Sequence, residues 1–340
     1  MINAAIVGLG RWGQNLVRSV QGVSGRLQFV RGVARRPDAV QEFAARHGLA
    51  LSSALDDALA DPRVEALVLA TPHSLHVDQV VAAARAGKPV CCEKPLALTR
   101  AGAERAVAAC RDAGVVLATG QDKRHWSSMR ELKRVVESGR LGEILHVEGN
   151  FSNETSTQFP VAWRDSPAES PGAGMTATGI HVVDAFVNLV GPMRRVHAQL
   201  IERKPNPAPL DTVSVLLEFV NDVSGVLCTI RTTPSFARVH VFGTGGSAEA
   251  VGETELVLRM AGAKPERQSL DAVDTLRTEL EAFADAIEGR APYPVTTAQM
   301  VEAVAAMEAI NRSMESRGPV IVEPRDQGPE TRDQRLGTRD

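Results

Sequence analysis

The stretch Ala4-Ala5-Ile6-Val7-Gly8-Leu9-Gly10-Arg11-Trp12-Gly13 decides how the first half of the chain is read. An apolar run of strand length enters three glycines at the spacing G-x-G-x-x-G, and a helical pattern follows. Each glycine then has a separate mechanical task. Gly8 permits the tight turn, Gly10 lets the backbone approach a pyrophosphate with no Cβ between, and Gly13 lets the helix pack closely on the strand while its free amides face the phosphates. The stretch predicts a dinucleotide-binding turn that includes Arg11 and Trp12; the indole either covers the nucleotide or packs against the sheet.

The sequence downstream has the period this turn requires. Apolar runs at 3–8, 27–34, 50–52, 66–70, 89–93 and 115–119 alternate with helical patterns at 13–20, 37–47, 54–61, 75–86 and 99–113, and Gly48, Gly87 and Gly114 stand where helices stop. That alternation predicts a parallel, doubly wound α/β sheet. Beyond about residue 125 the texture changes. One helix at 127–138 is followed by β-rich runs at 143–153, 194–203, 211–220, 225–232, 238–244, 247–251 and 254–260, joined by short turns, and then by helices at 272–288 and 297–316. The expected fold is α/β: an N-terminal Rossmann dinucleotide-binding domain over 1–122, and a C-terminal α+β domain with an open, mostly antiparallel sheet over 123–322 for substrate binding and oligomerisation. Residues 323–340, almost free of apolar side chains, are expected to be a disordered tail.

Composition narrows the partners. The 340 residues carry a formal net charge of −3, which argues against nucleic acid or an acidic membrane surface as a general partner and leaves a small-molecule substrate. No apolar run approaches the roughly 20 residues that span a bilayer, and no signal-like segment opens the sequence, so a cytoplasmic protein is expected. Cys91, Cys92, Cys110 and Cys228 have no metal-ligand spacing, no metal site is expected, and strand alternation should turn Cys91 and Cys92 to opposite faces. Apolar residues of the strands at 213–219 and 225–230 are expected to build a homodimer or homotetramer.

Open α/β sheets bind ligands outside the carboxyl ends of their strands. There the sequence places Thr71-Pro72-His73-Ser74-Leu75-His76 after the fourth strand and Glu93-Lys94-Pro95 after the fifth. Pro95 biases Lys94 toward an extended backbone, so the ammonium is presented from a strand end. After the second strand stands Val33-Ala34-Arg35-Arg36-Pro37, with two guanidiniums and no carboxylate. An acidic residue at that place accepts the ribose hydroxyls of NAD, whereas arginine suits the extra phosphate of NADP, so Ala34, Arg35 and Arg36 predict NADP, with NAD as the alternative if the arginines only face solvent.

Taken together with Asp122-Lys123-Arg124, Trp163-Arg164 and Gly172-Ala173-Gly174-Met175-Thr176-Ala177-Thr178-Gly179-Ile180-His181-Val182-Val183-Asp184, these motifs resemble the glucose-fructose oxidoreductase/inositol dehydrogenase (Gfo/Idh/MocA) family over nearly all of residues 2–322. The resemblance implies that Lys94 contacts and polarises the reacting hydroxyl, that Glu93 balances charge near it, and that His76 orients groups at the nicotinamide end. It also implies that Arg124, Trp163, Arg164 and Asp184 lie near the substrate. His181, at an expected helix start facing the cleft, is the candidate acid/base, because imidazole titrates near neutral pH and alcohol oxidation must release a hydroxyl proton. The sequence departs from the family at Ala177, where its dehydrogenases usually carry an aspartate. Cofactor contacts are therefore expected at Gly8, Gly10, Arg11, Trp12, Gly13, Ala34, Arg35, Arg36, Thr71, Pro72, His76, Glu93 and Lys94. The reading is an NADP-dependent oxidoreductase acting on the CH–OH group of a sugar, cyclic polyol or dihydrodiol. Its rivals are an NAD-dependent member of the same family and a non-catalytic nucleotide-binding sensor, for which Ala177 is the suggestive residue.

Overall fold

The computed structural model describes residues 1–154, 166–172, 174–204 and 210–322. Trp163, Arg164 and the expected tail at 323–340 lie outside the described residues.

Six parallel strands form the first sheet in the order β3-β2-β1-β4-β5-β6, from β1 (Ile2–Val7), β2 (Leu27–Val33), β3 (Ala50–Ser52), β4 (Ala66–Leu69), β5 (Val90–Glu93) and β6 (Leu117–Gly120). Helices α1 (Arg11–Val20), α2 (Gln41–His47), α3 (Leu55–Ala60), α4 (His76–Arg85) and α5 (Arg100–Asp112) make the crossovers. Because helices cover both faces, the central strands are mostly apolar; β4 and β5 are buried at every position. Cys91 packs in the core on one face and Cys92 in the core on the other, as alternation requires. The strand order reverses at β1 and β4, which puts a crevice over their carboxyl ends.

The second sheet has nine strands in the order β14-β13-β12-β11-β7-β10-β9-β8-β15, with β7 (Ile144–Ser152), β8 (Met193–Lys204), β9 (Leu210–Phe219), β10 (Ser224–Ile230), β11 (Phe236–Gly243), β12 (Gly246–Val251), β13 (Glu255–Met260), β14 (Glu266–Ser269) and β15 (Val320–Ile321). All pairings are antiparallel except β7 with β10. Helices α6 (Ser127–Glu137) and α7 (Ile180–Leu189), with part of α9 (Thr297–Ser316), cover its inner face through Leu132, Phe186 and Ile310. Two elements cross back to the first sheet. In α8 (Thr275–Ile287), Leu280 and Phe283 join one of its cores, and Met300 and Val304 of α9 join the other. The fold is therefore less linear than a division at residue 122 implies.

Period-two alternation divides the apolar strand residues between the two faces of the second sheet. Val213, Val215, Leu217, Phe219 and Leu227 face the inner core, and Leu216 and Val226, 60% and 37% exposed, lie on the outer face with the half-buried Cys228 and Ile230. The short strands β14 and β15 are not expected from the sequence, and α7 is expected only as a helix start at His181, without its extent. Eight consecutive residues of α7, Ile180 to Val187, are buried, so no polar face marks a helical period. Among the described residues no helix is long and apolar enough to cross a membrane.

Candidate active site

The glycine turn is built as its spacing requires. Gly8 has φ +99°, and a Cβ there would lie 2.5 Å from the carbonyl oxygen of Ala70. A Cβ on Gly13 would lie 2.0 Å from the carbonyl oxygen of Gly8, so only glycine lets α1 sit this close. A Cβ on Gly10 would meet nothing within 4 Å, which leaves the face of the turn open to a ligand. Gly10 caps α1 without a side-chain acceptor, and the first turn of the helix carries no acidic residue. The residues present thus fit a dinucleotide pyrophosphate at a helix N-terminus. Ala34, at the end of β2, is half-buried, and Arg35 and Arg36 beside it are exposed with no partner among the described residues.

From this turn a cleft of about 270 Å³ runs between the two sheets. Arg11, Trp12, Thr71, Glu93 and Lys94 line it from the first domain, and Phe151, Thr176, Ala177 and His181 from the second. Pro72 follows Thr71 in the loop but is not part of the lining. The Lys94–Pro95 peptide bond is cis. Lys94 Nζ donates to the carbonyl oxygen of Ala177 at 2.7 Å, across the cleft. Ala177 lies in a π turn, Met175–Gly179, that leads into α7, and such wide turns recur at functional sites.

His181 occupies the first turn of α7 and is 9% exposed. Its Nδ1 lies 3.2 Å from Oε1 of Gln121, the residue after β6. Burial, and then the positive charges of Lys94 and Lys123, hold the imidazole well below its ordinary pKa, so it is neutral at pH 7. Glu93 is the opposite case. Trp12 Nε1 donates to its Oε1 at 2.5 Å, but burial outweighs that bond and pushes the carboxyl up to about 7. Trp12 is thereby tied across the cleft floor to the Glu-Lys-Pro turn.

Two expectations are corrected. His76 is fully buried and does not line the cleft: Nδ1 lies 2.7 Å from the Pro95 carbonyl oxygen and Nε2 3.0 Å from that of Thr71. It joins the two strand-end turns through their carbonyl oxygens. Arg124 and Asp184 are turned toward each other, the guanidinium gripping the carboxylate at 2.7 and 2.8 Å. Its remaining nitrogen donates to Asn188 at 3.1 Å and Gln299 at 2.9 Å, and both charged residues are buried, so the pair braces α7 and α9. Gln121, Lys123, Phe151 and Thr176 belong to the site although sequence reasoning gave them no role. Gln121 and Lys123 stood at a strand's carboxyl edge, the one signal that could have found them.

A glycine turn at the switch point of a parallel sheet, facing a lysine and a neutral histidine across an interdomain cleft, defines a two-domain nucleotide-binding protein with polar chemistry at the far end. Two family models place it more closely: the oxidoreductase family with NAD-binding Rossmann fold matches residues 2–121, and the GFO/IDH/MocA C-terminal domain matches residues 129–249. The chain belongs to the Gfo/Idh/MocA oxidoreductase family. It is 30% identical to 1,5-anhydro-D-fructose reductase of Ensifer adhaerens over 73% of this chain and 77% of the relative. It is also 30% identical to trans-1,2-dihydrobenzene-1,2-diol dehydrogenase of Mus musculus over 68% and 69%. Against uncharacterized oxidoreductases of Schizosaccharomyces pombe and Streptococcus pneumoniae, the match spans only 42% and 51% of the relative's length. Among solved structures, the WlbA dehydrogenase from Bordetella pertussis in complex with NADH and UDP-GlcNAcA superposes with a TM-score of 0.84 at 25% identity, covering 94% of this chain and 97% of that one.

Proposed function

We propose that the protein interconverts a secondary alcohol and a ketone on a sugar, cyclic polyol or dihydrodiol. The observation that carries this reading is the convergence of Lys94 and His181 on one cleft that begins at the glycine turn. When bound, the nicotinamide supplies the hydride acceptor or donor. In the oxidation direction the neutral His181 takes the hydroxyl proton, and the Lys94 ammonium stabilises the oxygen as it becomes negative, before the carbonyl forms. The part-buried Trp12–Glu93 bond holds the strand-end turn from which Lys94 projects.

NADP is the proposed cofactor, supported by two unpartnered guanidiniums at the end of β2 where NAD binding favours a carboxylate. The printed names of the two relatives supply the first substrates to try. The test is a screen of 1,5-anhydro-D-fructose, trans-dihydrodiols, inositols and aldoses for NADPH and NADH absorbance change. Nucleotide binding with no turnover on any of them would replace this reading by that of a non-catalytic sensor.

A further inference from the structure

We infer that Gln121 is the positioning residue of His181: it fixes the tautomer that leaves Nε2 free to accept a proton. This rests on the proposed hydride-transfer reading of the cleft. Gln121 is 3% exposed and is itself held by the backbone, its N–H donating to the Thr119 carbonyl at 2.8 Å and its carbonyl accepting from Arg124 N–H at 3.0 Å. Its buried side chain presents the amide oxygen 3.2 Å from His181 Nδ1. An amide oxygen only accepts, so Nδ1 carries the proton and Nε2 carries the lone pair. Nε2 has no hydrogen-bond partner among the described residues, and the ring lines the cleft. The methyl of Ala177 offers no competing acceptor from the preceding turn.

A neutral amide differs in one respect from a carboxylate in the same place. It orders the ring but adds little stabilisation to the imidazolium. The charged groups around His181 are Lys94 at the end of β5 and Lys123 after β6, and neither favours a second positive charge; the neighbouring Phe151 ring from β7, 5.7 Å away, is neutral. Lys123 is paired with Asp122, and Asp184, on the helix of His181, is paired with Arg124. Gln121 thus gives an oriented base that stays uncharged until it takes the substrate's proton, and charge compensation is left to groups that act on the substrate oxygen.

The test compares Gln121→Leu, which removes the acceptor at similar volume, with Gln121→Glu, which keeps it and adds charge. The ¹⁵N spectra of histidine-labelled protein, with the His181 signals identified from a His181→Asn sample, should show an Nδ1-protonated ring in the parent and in Gln121→Glu. Gln121→Leu should lose that signature. With a substrate from the screen, Gln121→Leu should lower kcat by about 10–100-fold, the scale on which partners that orient metal-bound histidines act, with KM nearly unchanged. Gln121→Glu should retain turnover and move the acid limb of the oxidation profile to higher pH. The inference is overturned if Gln121→Leu keeps the parent tautomer, or if both variants lose it together. A screen with no turnover would remove the hydride-transfer reading, while the spectra would still decide the Gln121–His181 relation.

Discussion

Lys94 Nζ is hydrogen-bonded to the carbonyl oxygen of Ala177 at 2.7 Å, so the ammonium at the end of β5 is held against the turn that introduces His181. The acceptor is backbone, and it is present whatever side chain occupies position 177. The absence of a carboxylate at Ala177 therefore does not release the lysine from the site.

Replacing that ammonium tests its proposed role at the reacting oxygen. Lys94→Ala is expected to reduce turnover by about two to four orders of magnitude, the range for electrostatic and acid/base groups, while nucleotide affinity, set mainly at the glycine turn, changes little. Steady-state kinetics beside nucleotide titration would separate the two. Turnover at the parent rate would remove Lys94 from the chemistry.

The guanidiniums of Arg35 and Arg36 bear on cofactor choice. A hydrogen bond to a charged group contributes about 1.5–3 kcal/mol, and 1.4 kcal/mol is tenfold in affinity, so losing both contacts should weaken NADPH by about one to three orders of magnitude. Arg35→Ala with Arg36→Ala should leave NADH affinity almost unchanged. Equal losses for both nucleotides, measured by calorimetry, would assign the arginines to folding.

Arg124 and Asp184 are expected to matter through stability. Asp184→Ala leaves a buried guanidinium without its carboxylate, a change that costs about 3–5 kcal/mol when a buried pair is broken. Urea unfolding should show it as a lower midpoint. A stability loss below about 1 kcal/mol together with a large rise in KM would return Asp184 to the substrate.

Much of this architecture was legible because it depends on local rules. The glycine spacing and the strand ends follow from steric demands of single residues, and the 297–316 helix coincides with α9, where Thr296 and Gln299 form a capping box. The opposite facing of Cys91 and Cys92 follows from period two alone. What escaped depends on pairing across the chain. Arg124 is expected to bind a ligand until Asp184, 60 positions away, is seen to occupy it. Gln121 carries no charge to draw notice, and its relation to His181 exists only once β6 and α7 are placed together. The apolar residues of β9 could be counted in the sequence, but which of them face outward depends on which side of the sheet α7 and α9 cover.

That outer face carries the proposed homo-oligomer. Leu216 and Val226 are cross-strand neighbours, exposed, on an open sheet that has helices on its other side. Light scattering at micromolar concentration is expected to give a dimer or tetramer, and Leu216→Glu with Val226→Glu should shift it toward monomer. A parent protein that is monomeric under those conditions would end the proposal.

Glu279 gives the clearest dependence of stability on pH. It lies on α8, is 1% exposed, and neither carboxylate oxygen has a hydrogen-bond partner within bonding geometry among the described residues. Burial, and then the nearby Asp122 and Glu93, raise its pKa well above the ordinary 4.5, and Glu93 is itself raised to about 7. A carboxyl whose pKa is higher in the folded state binds its proton more tightly there. Its stabilising contribution is complete below the unfolded value and declines as pH rises through the folded one. Thermal stability should therefore fall between pH 5 and pH 8. Each pH unit in which Glu279 stays protonated in the fold but ionised in the unfolded chain costs about 1.4 kcal/mol. Glu279→Gln removes that titration while keeping the shape, so its melting temperature should exceed the parent's at pH 8 by several degrees and approach it at pH 5. Parallel curves for the two proteins across this range would show that Glu279 is ionised in the fold and compensated by a partner.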